Sequence, residues 1–509
     1  MKSISFRFLL TVSSLFSSAL PATAVEQRNY TSYVEECLNT LIENGSDRYG
    51  EKTSPIFVSI LDLDTLTCPQ NPLPLDEHFR VNRRERRNPA GANLLTDQPL
   101  LRSMYEASRL TGKKRYAGAA DKYIEYYLEH LIDGKGFIWW GWHRHYDVFK
   151  DRMDGHQGNH HEIHAITDID WEHLWRVNKK AVAKEIESIW EWHIINKETG
   201  ENNRHGDGKP GCDFSMSAGS HLQAFAFMYE KTQAPQWLDR ARLVADYYWE
   251  RRNPETNLIV ERPNAGTGRF DGSAFVTAIT GPHCFALLDA WQRTGDEAFK
   301  TYAVAYLEAY AKYGFDESTG KFWGALKTDG SVIPGPRLAA GAEYGVYEPR
   351  GHLDLWEPYV AGYQFPIYTA QLYIWAYELS QEPVFLETAR RFAAWIETTP
   401  PGTVEQGVSW YAAYTQGPGR QGTYAGKYGR AVSFSLHLYR VTRETMYLEQ
   451  AQQMADEAVT KLFTNGIFRG HPAKPYYESM DGVGYLLNAL LDLDQMLENP
   501  KGEHQLINW

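Results

Sequence analysis

The sequence predicts an all-α protein: an (α/α) barrel or toroid of six to seven helical hairpins, with long loops forming a cleft at one end. The first sign is a recurring phrase, an apolar helix, a polar turn near "TG", then a second amphipathic helix. It runs LLRSMYEASRLTGKKRYAGAADKYIEYYLEHL, then HLQAFAFMYEKTQAPQWLDRARLVADYYWERR and HCFALLDAWQRTGDEAFKTYAVAYLEAYAKYG. It returns as YTAQLYIWAYELSQEPVFLETARRFAAWIET and VSFSLHLYRVTRETMYLEQAQQMADEAVTKLF. The turn residues Thr232 and Thr294 stand 62 apart, as do Ser380 and Thr442. Hairpins repeating at that scale stack into closed arrays. Tyr302, Tyr306 and Tyr310 share one helix face by their i, i+4, i+8 spacing. The second sign lies between the hairpins. Segments 262–282, 317–362 and 401–428 are long and rich in Gly, Pro and aromatic residues. Such loops in a compact domain are usually functional, and these are expected to wall one cleft. Short strands are expected within them, and segment 45–95 is expected to be irregular and to pack across the barrel.

The chain has 509 residues. Residues 1–24 read as a signal peptide. Lys2 and Arg7 are its basic region, Phe8 to Leu20 its apolar run, and Ala22-Thr23-Ala24 its cleavage site. The apolar run is shorter than the ~20 residues that span a bilayer. Residues 25–509 then form one toroid, with no linker that marks off a second domain. The expected location is the periplasm or outside the cell, with no membrane span. Export permits disulfides, yet Cys37, Cys68, Cys212 and Cys284 show no CxxC spacing. Cys37–Cys68 is one pairing; four buried thiols are the other reading.

A net charge of −12 argues against nucleic-acid binding. It leaves room for a polyanionic substrate in a local basic cleft. The densest basic run is Arg80, Arg83, Arg84, Arg86 and Arg87, either a carboxylate-guiding patch or a salt-bridged face. The 16 Trp and 32 Tyr suit sugar stacking or thick helix packing equally.

Nine of the 17 histidines fall between His143 and His205. Neutral imidazoles beside carboxylates suit a divalent transition metal. HHEIH at 160–164 is not a zincin motif, because position 165 is alanine. Glu162 would therefore share a metal with histidines on other segments, His143 or His145 on one and His205 on another. Such a set favours Mn, Zn, Co or Ni over Mg or Ca, which take oxygen shells. Hydrogen-bonded structural histidines are the alternative. His193 continues the stripe Val182, Ile186, Ile189 and belongs to the core.

His143/His145, Glu162 and the Arg204–His205 pair resemble the metal-and-base constellation of polysaccharide lyase family 2, the periplasmic pectate lyases. That resemblance implies an (α/α)7 barrel and a transition-metal ion held by His143, Glu162 and His205. It implies Arg204 as catalytic base, with Tyr146 or His145 in reserve, since a guanidinium normally keeps its proton. The implied reaction is β-elimination on a polyuronate, with pectate or oligogalacturonate the first expectation. Alginate, glucuronan and sulfated algal polymers stay open. Asn203, Arg269, Tyr344, Arg350, His352 and Trp356 are the candidate substrate contacts. Structural alternatives stand beside them: a salt bridge from Arg204 to Asp207 or Asp213, a turn cap for Asn203, and loop packing for Trp356.

A glycoside hydrolase on the same scaffold is the rival. It needs two carboxylates across a cleft, and Asp207, Asp213, Asp271 and Asp354 are available. A sugar epimerase using histidines as acid and base is disfavoured by the signal peptide. A carbohydrate-binding protein has no reason to gather histidines, an acid and Arg204 in one region.

Overall fold

The computed structural model describes residues 29–70, 91–141, 144–155, 157, 169–204, 206–264, 274–276, 278–335, 350–356, 365–403 and 421–508. The helices are α1 (Tyr30–Asn44), α2 (Leu94–Thr111), α3 (Arg115–His130), α4 (Trp171–Val177), α5 (Lys179–His193), α6 (Ser215–Thr232) and α7 (Pro235–Trp249). They continue as α8 (Cys284–Thr294), α9 (Glu297–Tyr313), α10 (Pro366–Ser380), α11 (Pro383–Thr398), α12 (Ala425–Thr442), α13 (Thr445–Leu462) and α14 (Val483–Glu498). A π-helical turn, Ile279–His283, leads into α8, with Pro282 inside it.

The even-numbered helices form an inner ring. Helix α2 meets α4 through Arg102–Asp170 and the stacked Tyr105–His173 rings. Trp171 and Trp175 of α4 pack on Phe227 of α6. Helix α6 packs on α8, and Phe285 of α8 packs on Tyr368 and Trp375 of α10. The ring then passes through α12 and α14 and closes on α2. The closure is tight: a Cβ on Gly484 would stand 2.3 Å from Leu100 N, and one on Gly429 2.5 Å from Leu486 N. Only glycine lets these backbones touch.

Among the described residues each inner helix has an outer partner, and α14 takes α1, so seven hairpins close the ring. The N-terminal helix was the one not evident from the repeats. Its buried Tyr30, Val34, Cys37, Leu38 and Leu41 still follow helical periodicity, and Asn29 caps it. Two inner helices are buried without a break over most of their length, α10 from Pro366 to Ala376 and α6 from Ser215 to Met228. Outer helices keep one stripe, as in Phe385, Ala389, Phe392, Ala393 and Ile396 of α11.

The recurring turn has a physical basis. Helices α2, α6, α8, α10 and α12 end on Thr111, Thr232, Thr294, Ser380 and Thr442. Each hydroxyl donates to the carbonyl four residues back, at 2.6–2.8 Å. Each also accepts the N–H two residues on. The residue between is left-handed in every case: Gly112, Gln233, Gly295, Gln381 and Arg443. These tight turns define one end of the ring. The long connections, from outer helix to the next inner helix, define the other.

Short strands occur at the loop end, as expected: β1 (Ile60–Asp62), β2 (Gly91–Ala92), β3 (Arg144–Asp147), β4 (Arg152–Gly155), β5 (Ala274–Val276), β6 (Phe315–Asp316), β7 (Lys321–Phe322) and β8 (Ala325–Lys327). Then come β9 (Phe463–Thr464), β10 (Ile467–Phe468) and β11 (Tyr476–Glu478). All pairs are antiparallel, β1 with β11, β2 with β3 and β3 with β4 among them. The lumen is filled from below by the segment after α14. Asn508 is fully buried and bonds to Ser433 Oγ, Tyr485 O and Asn488. None of Cys37, Cys68, Cys212 and Cys284 is in a disulfide. Among the described residues no helix is long and apolar enough to cross a membrane. Residues 1–24 lie outside them.

Candidate active site at the loop end

The inner helices present their N-termini at the loop end, where peptide dipoles favour anions. Two segments carry the sequence-predicted chemistry. The first is β3, flanked by β2 and β4. Strand alternation puts Arg144 and Tyr146 on one face and His145 and Asp147 on the other. The buried Arg144 guanidinium lies 4.1 Å over Trp139 and 3.5 Å from Asp133. Burial lowers its pKa, opposed by the carboxylates of Asp133, Asp207 and Glu185. Behind this segment stands Glu185 of α5. It accepts Ile138 N–H at 2.6 Å and the Trp140 indole N–H at 3.2 Å. Burial pushes its carboxyl up to about 8.

His145, Asp147 and Asp154 bring ligand atoms within 4.8 Å of one another. The Lys150 ammonium sits among them, 2.8 Å from Asp147 and 2.9 Å from Asp154. Burial lowers the His145 pKa, which keeps the ring neutral. This ties His145 to a lysine-neutralised cluster. Tyr146 reaches Asp151 at 3.5 Å and packs on Tyr126. Burial, with Tyr126 beside it, raises its phenol far above the ordinary value. A phenol so held is ill suited to accept a proton as base.

The second segment follows α5. His193 is fully buried, packs on Phe137, and binds Asn203 O through Nδ1 at 2.5 Å. That is the core role its stripe implied. Asn203 closes a turn: its side chain accepts Gly206 N–H at 3.2 Å and donates to Lys209 O. Arg204 follows, with 1 % exposure, its N–H on Cys212 O at 2.9 Å. Its guanidinium lies 4.4 Å over the Phe214 ring, and Arg262 lies 4.9 Å over the same ring. Asp207 pairs with Lys135, which rests over Trp192. Asp213 is fully buried, accepting Tyr247 O–H at 2.7 Å and Asn264 N–H at 2.8 Å. Desolvation raises its pKa. Glu261 is pushed up to about 8, by burial first, with Asp213 adding to the rise and Arg204 opposing it.

The two segments meet. Asp207, three residues beyond Arg204, is part of the electrostatic surroundings of Arg144. Helix α4, which follows the histidine-rich stretch, has seven residues where α2 and α6 have 18.

His143, Glu162, His205, Arg269 and Tyr344 lie outside the described residues, as do Asp271 and the arginine run from Arg80 to Arg87. Arg350 is half-buried on its loop. His352 binds Asp316 at 2.8 Å and stacks on Trp323 at 4.0 Å. Hydrogen bonds from Ser318, His352 and Thr319 hold Asp316 well below the usual carboxylate range. The expectation that Trp356 offers a face to a sugar gives way to packing. Its ring has no exposed surface and its N–H is donated to Thr399 O at 2.8 Å. The sequence reading passed over Glu185 and Glu261. Glu185 lies next to Ile186 of the core stripe, and Glu261 opens the Gly-rich run ERPNAGTG.

A family model described as periplasmic pectate lyase matches residues 76–226 and 239–503. The chain belongs to that family. Solved structures with similar folds are remote. Cellobiose 2-epimerase from Bacillus thermoamylovorans is 14 % identical, over 74 % of this chain and 88 % of that one, with a TM-score of 0.47. A family 76 glycoside hydrolase from a Bacteroides thetaiotaomicron strain is 11 % identical, over 94 % and 79 %, with a TM-score of 0.46. An inactive variant of the α-1,6-mannanase of Salegentibacter sp., in complex with α-1,6-mannotetrose, is 11 % identical, over 92 % and 100 %, with a TM-score of 0.45.

Proposed function

We propose that this protein is an exported polysaccharide lyase that cleaves a polyuronate, with pectate or an oligogalacturonate the first substrate to try. The match to the periplasmic pectate lyase family carries this reading. The meeting of the Arg144 and Arg204–Asp207 segments supports it, because these flank His143 and His205.

His143, Glu162 and His205 are the proposed holders of a divalent transition metal, Mn, Zn, Co or Ni. Two imidazoles and a carboxylate suit that class. When bound, the metal supplies positive charge at the sugar C6 carboxylate, where enolate charge grows as the C5 proton leaves. Arg204 in its neutral form takes that proton, the C4=C5 double bond forms as the C4–O bond breaks, and the departing oxygen stays on the neighbouring sugar and takes a proton from water, leaving a 4,5-unsaturated sugar. Burial at 1 % exposure and a second guanidinium on the same ring disfavour a charged Arg204, while the face of Phe214, which attracts a cation, works the other way. Glu261, kept protonated at neutral pH, adds no full counter-charge.

The test is ultraviolet absorbance of unsaturated uronate, with mature protein on a panel of polyuronates, with and without chelator. A rise on one polymer, lost with chelator, is expected. A rise indifferent to chelator overturns the metal assignment. New reducing ends without absorbance overturn the lyase and favour the hydrolase. Of that rival's carboxylates, Asp207 is paired with Lys135, and Asp271 lies outside the described residues.

A further inference from the structure

The chemistry above leaves one buried acid behind Arg204 without a task. Glu261 has 1 % exposure and lies where the chain leaves α7 for the Gly-rich loop. Its carbonyl accepts Ser215 N–H at 3.1 Å. Its carboxylate accepts the Ser215 hydroxyl and the Met216 N–H. These are the first residues of α6, whose N-cap residue, Phe214, offers no side-chain cap. Glu261 thus satisfies the exposed start of α6 from a neighbouring segment. The same Phe214 is the platform under Arg204, and Arg204 is one of the charges felt by the Glu261 carboxyl. Asp213 braces the other side of the platform through Tyr247, Tyr248 and Asn264. Among the described residues, Glu261 Oε1 is buried and accepts no hydrogen bond, so the group is built around its other oxygen.

We propose that Glu261 is a positioning residue: by fixing the first turn of α6 it holds Phe214, and with it the Arg204 guanidinium, where the substrate proton is removed. This rests on Arg204 being the base.

Glutamine keeps the acceptor oxygen and the shape; alanine removes both. Glu261→Ala is expected to lower kcat by about 100-fold with KM unchanged, the scale of a misplaced catalytic group. Glu261→Gln is expected to stay close to wild type. Crystal structures of both variants give a readout independent of turnover. Arg204 should leave the Phe214 ring in Glu261→Ala and stay on it in Glu261→Gln. Arg204 at its wild-type distance in Glu261→Ala overturns the proposal, whatever the activity. Wild-type protein without lyase activity instead overturns the assignment of the base. If Glu261→Ala does not fold, Ser215→Ala removes one link and should give a smaller fall in kcat at constant KM. A wild-type kcat and an unmoved Arg204 there overturn the proposal.

Discussion

The two ends of the ring solve the same problem, joining helices, in opposite ways. At the turn end the five hydroxyl-capped turns are near copies, and their neighbours carry ion pairs open to water. Arg390–Glu444, with side chains 47 % and 40 % exposed, lies at the open end of their range, and Arg440–Glu378, at 18 % and 29 %, is more enclosed. At the loop end every connection differs, and charge is buried. The Lys474 ammonium has no exposure and lies 2.8 Å from Glu478 and 2.5 Å from Asp481, also enclosed. The ionisable groups of Arg144, Arg204, Glu185 and Glu261 are likewise buried, the two carboxyls holding their protons up to about pH 8. The turn end takes its stability from repetition. The loop end carries unfavourable desolvation, and its ionisable groups stand in fixed places.

The sharpest way to break this comparison is Lys474→Met. It leaves two carboxylates buried without their cation, and a loss of about 3–5 kcal/mol is expected in denaturant unfolding. A loss under about 1 kcal/mol would mean that water reaches the triad. An effect of comparable size, spread over about three pH units, lies in pH. Glu185, at about 8 when folded and near 4.5 as an ordinary glutamate, keeps a proton in the folded chain that the unfolded chain has lost. Stability therefore falls as pH rises from about 5 to 8, by at most about 1.4 kcal/mol per pH unit from this group, and levels off above. Glu185→Gln should make that slope shallower while leaving the share of Glu261, and an unchanged slope would mean that Glu185 does not titrate there. The smallest effect belongs to the turn end. Arg390→Ala should cost less than about 1 kcal/mol, and less still at high salt. A larger loss would erase the contrast.

The turn end was legible in the sequence because its signals are local. Thr232, Thr294, Ser380 and Thr442 sit at fixed distances from their helices, so the repeat shows in one dimension. Helix α1 escaped because its partner, α14, is about 450 residues away, and a lone helix repeats nothing. Arg204 stands out in the sequence through its place directly before His205 and the family resemblance of that pair. Glu261 does not: its contacts with Ser215 and Met216 are 46 and 45 residues distant. Trp356 shows the opposite limit, since a loop tryptophan reads alike whether it faces sugar or core.

The measurement that bears most directly on the central claim is the initial lyase rate of Arg204→Ala against wild type. It should be taken on the polymer that wild type cleaves, with matched unfolding curves. The account predicts a folded variant with activity reduced by at least about 1,000-fold, as for removal of a reacting group. A folded Arg204→Ala that turns over at the wild-type rate would contradict it and move the chemistry away from the Phe214 platform.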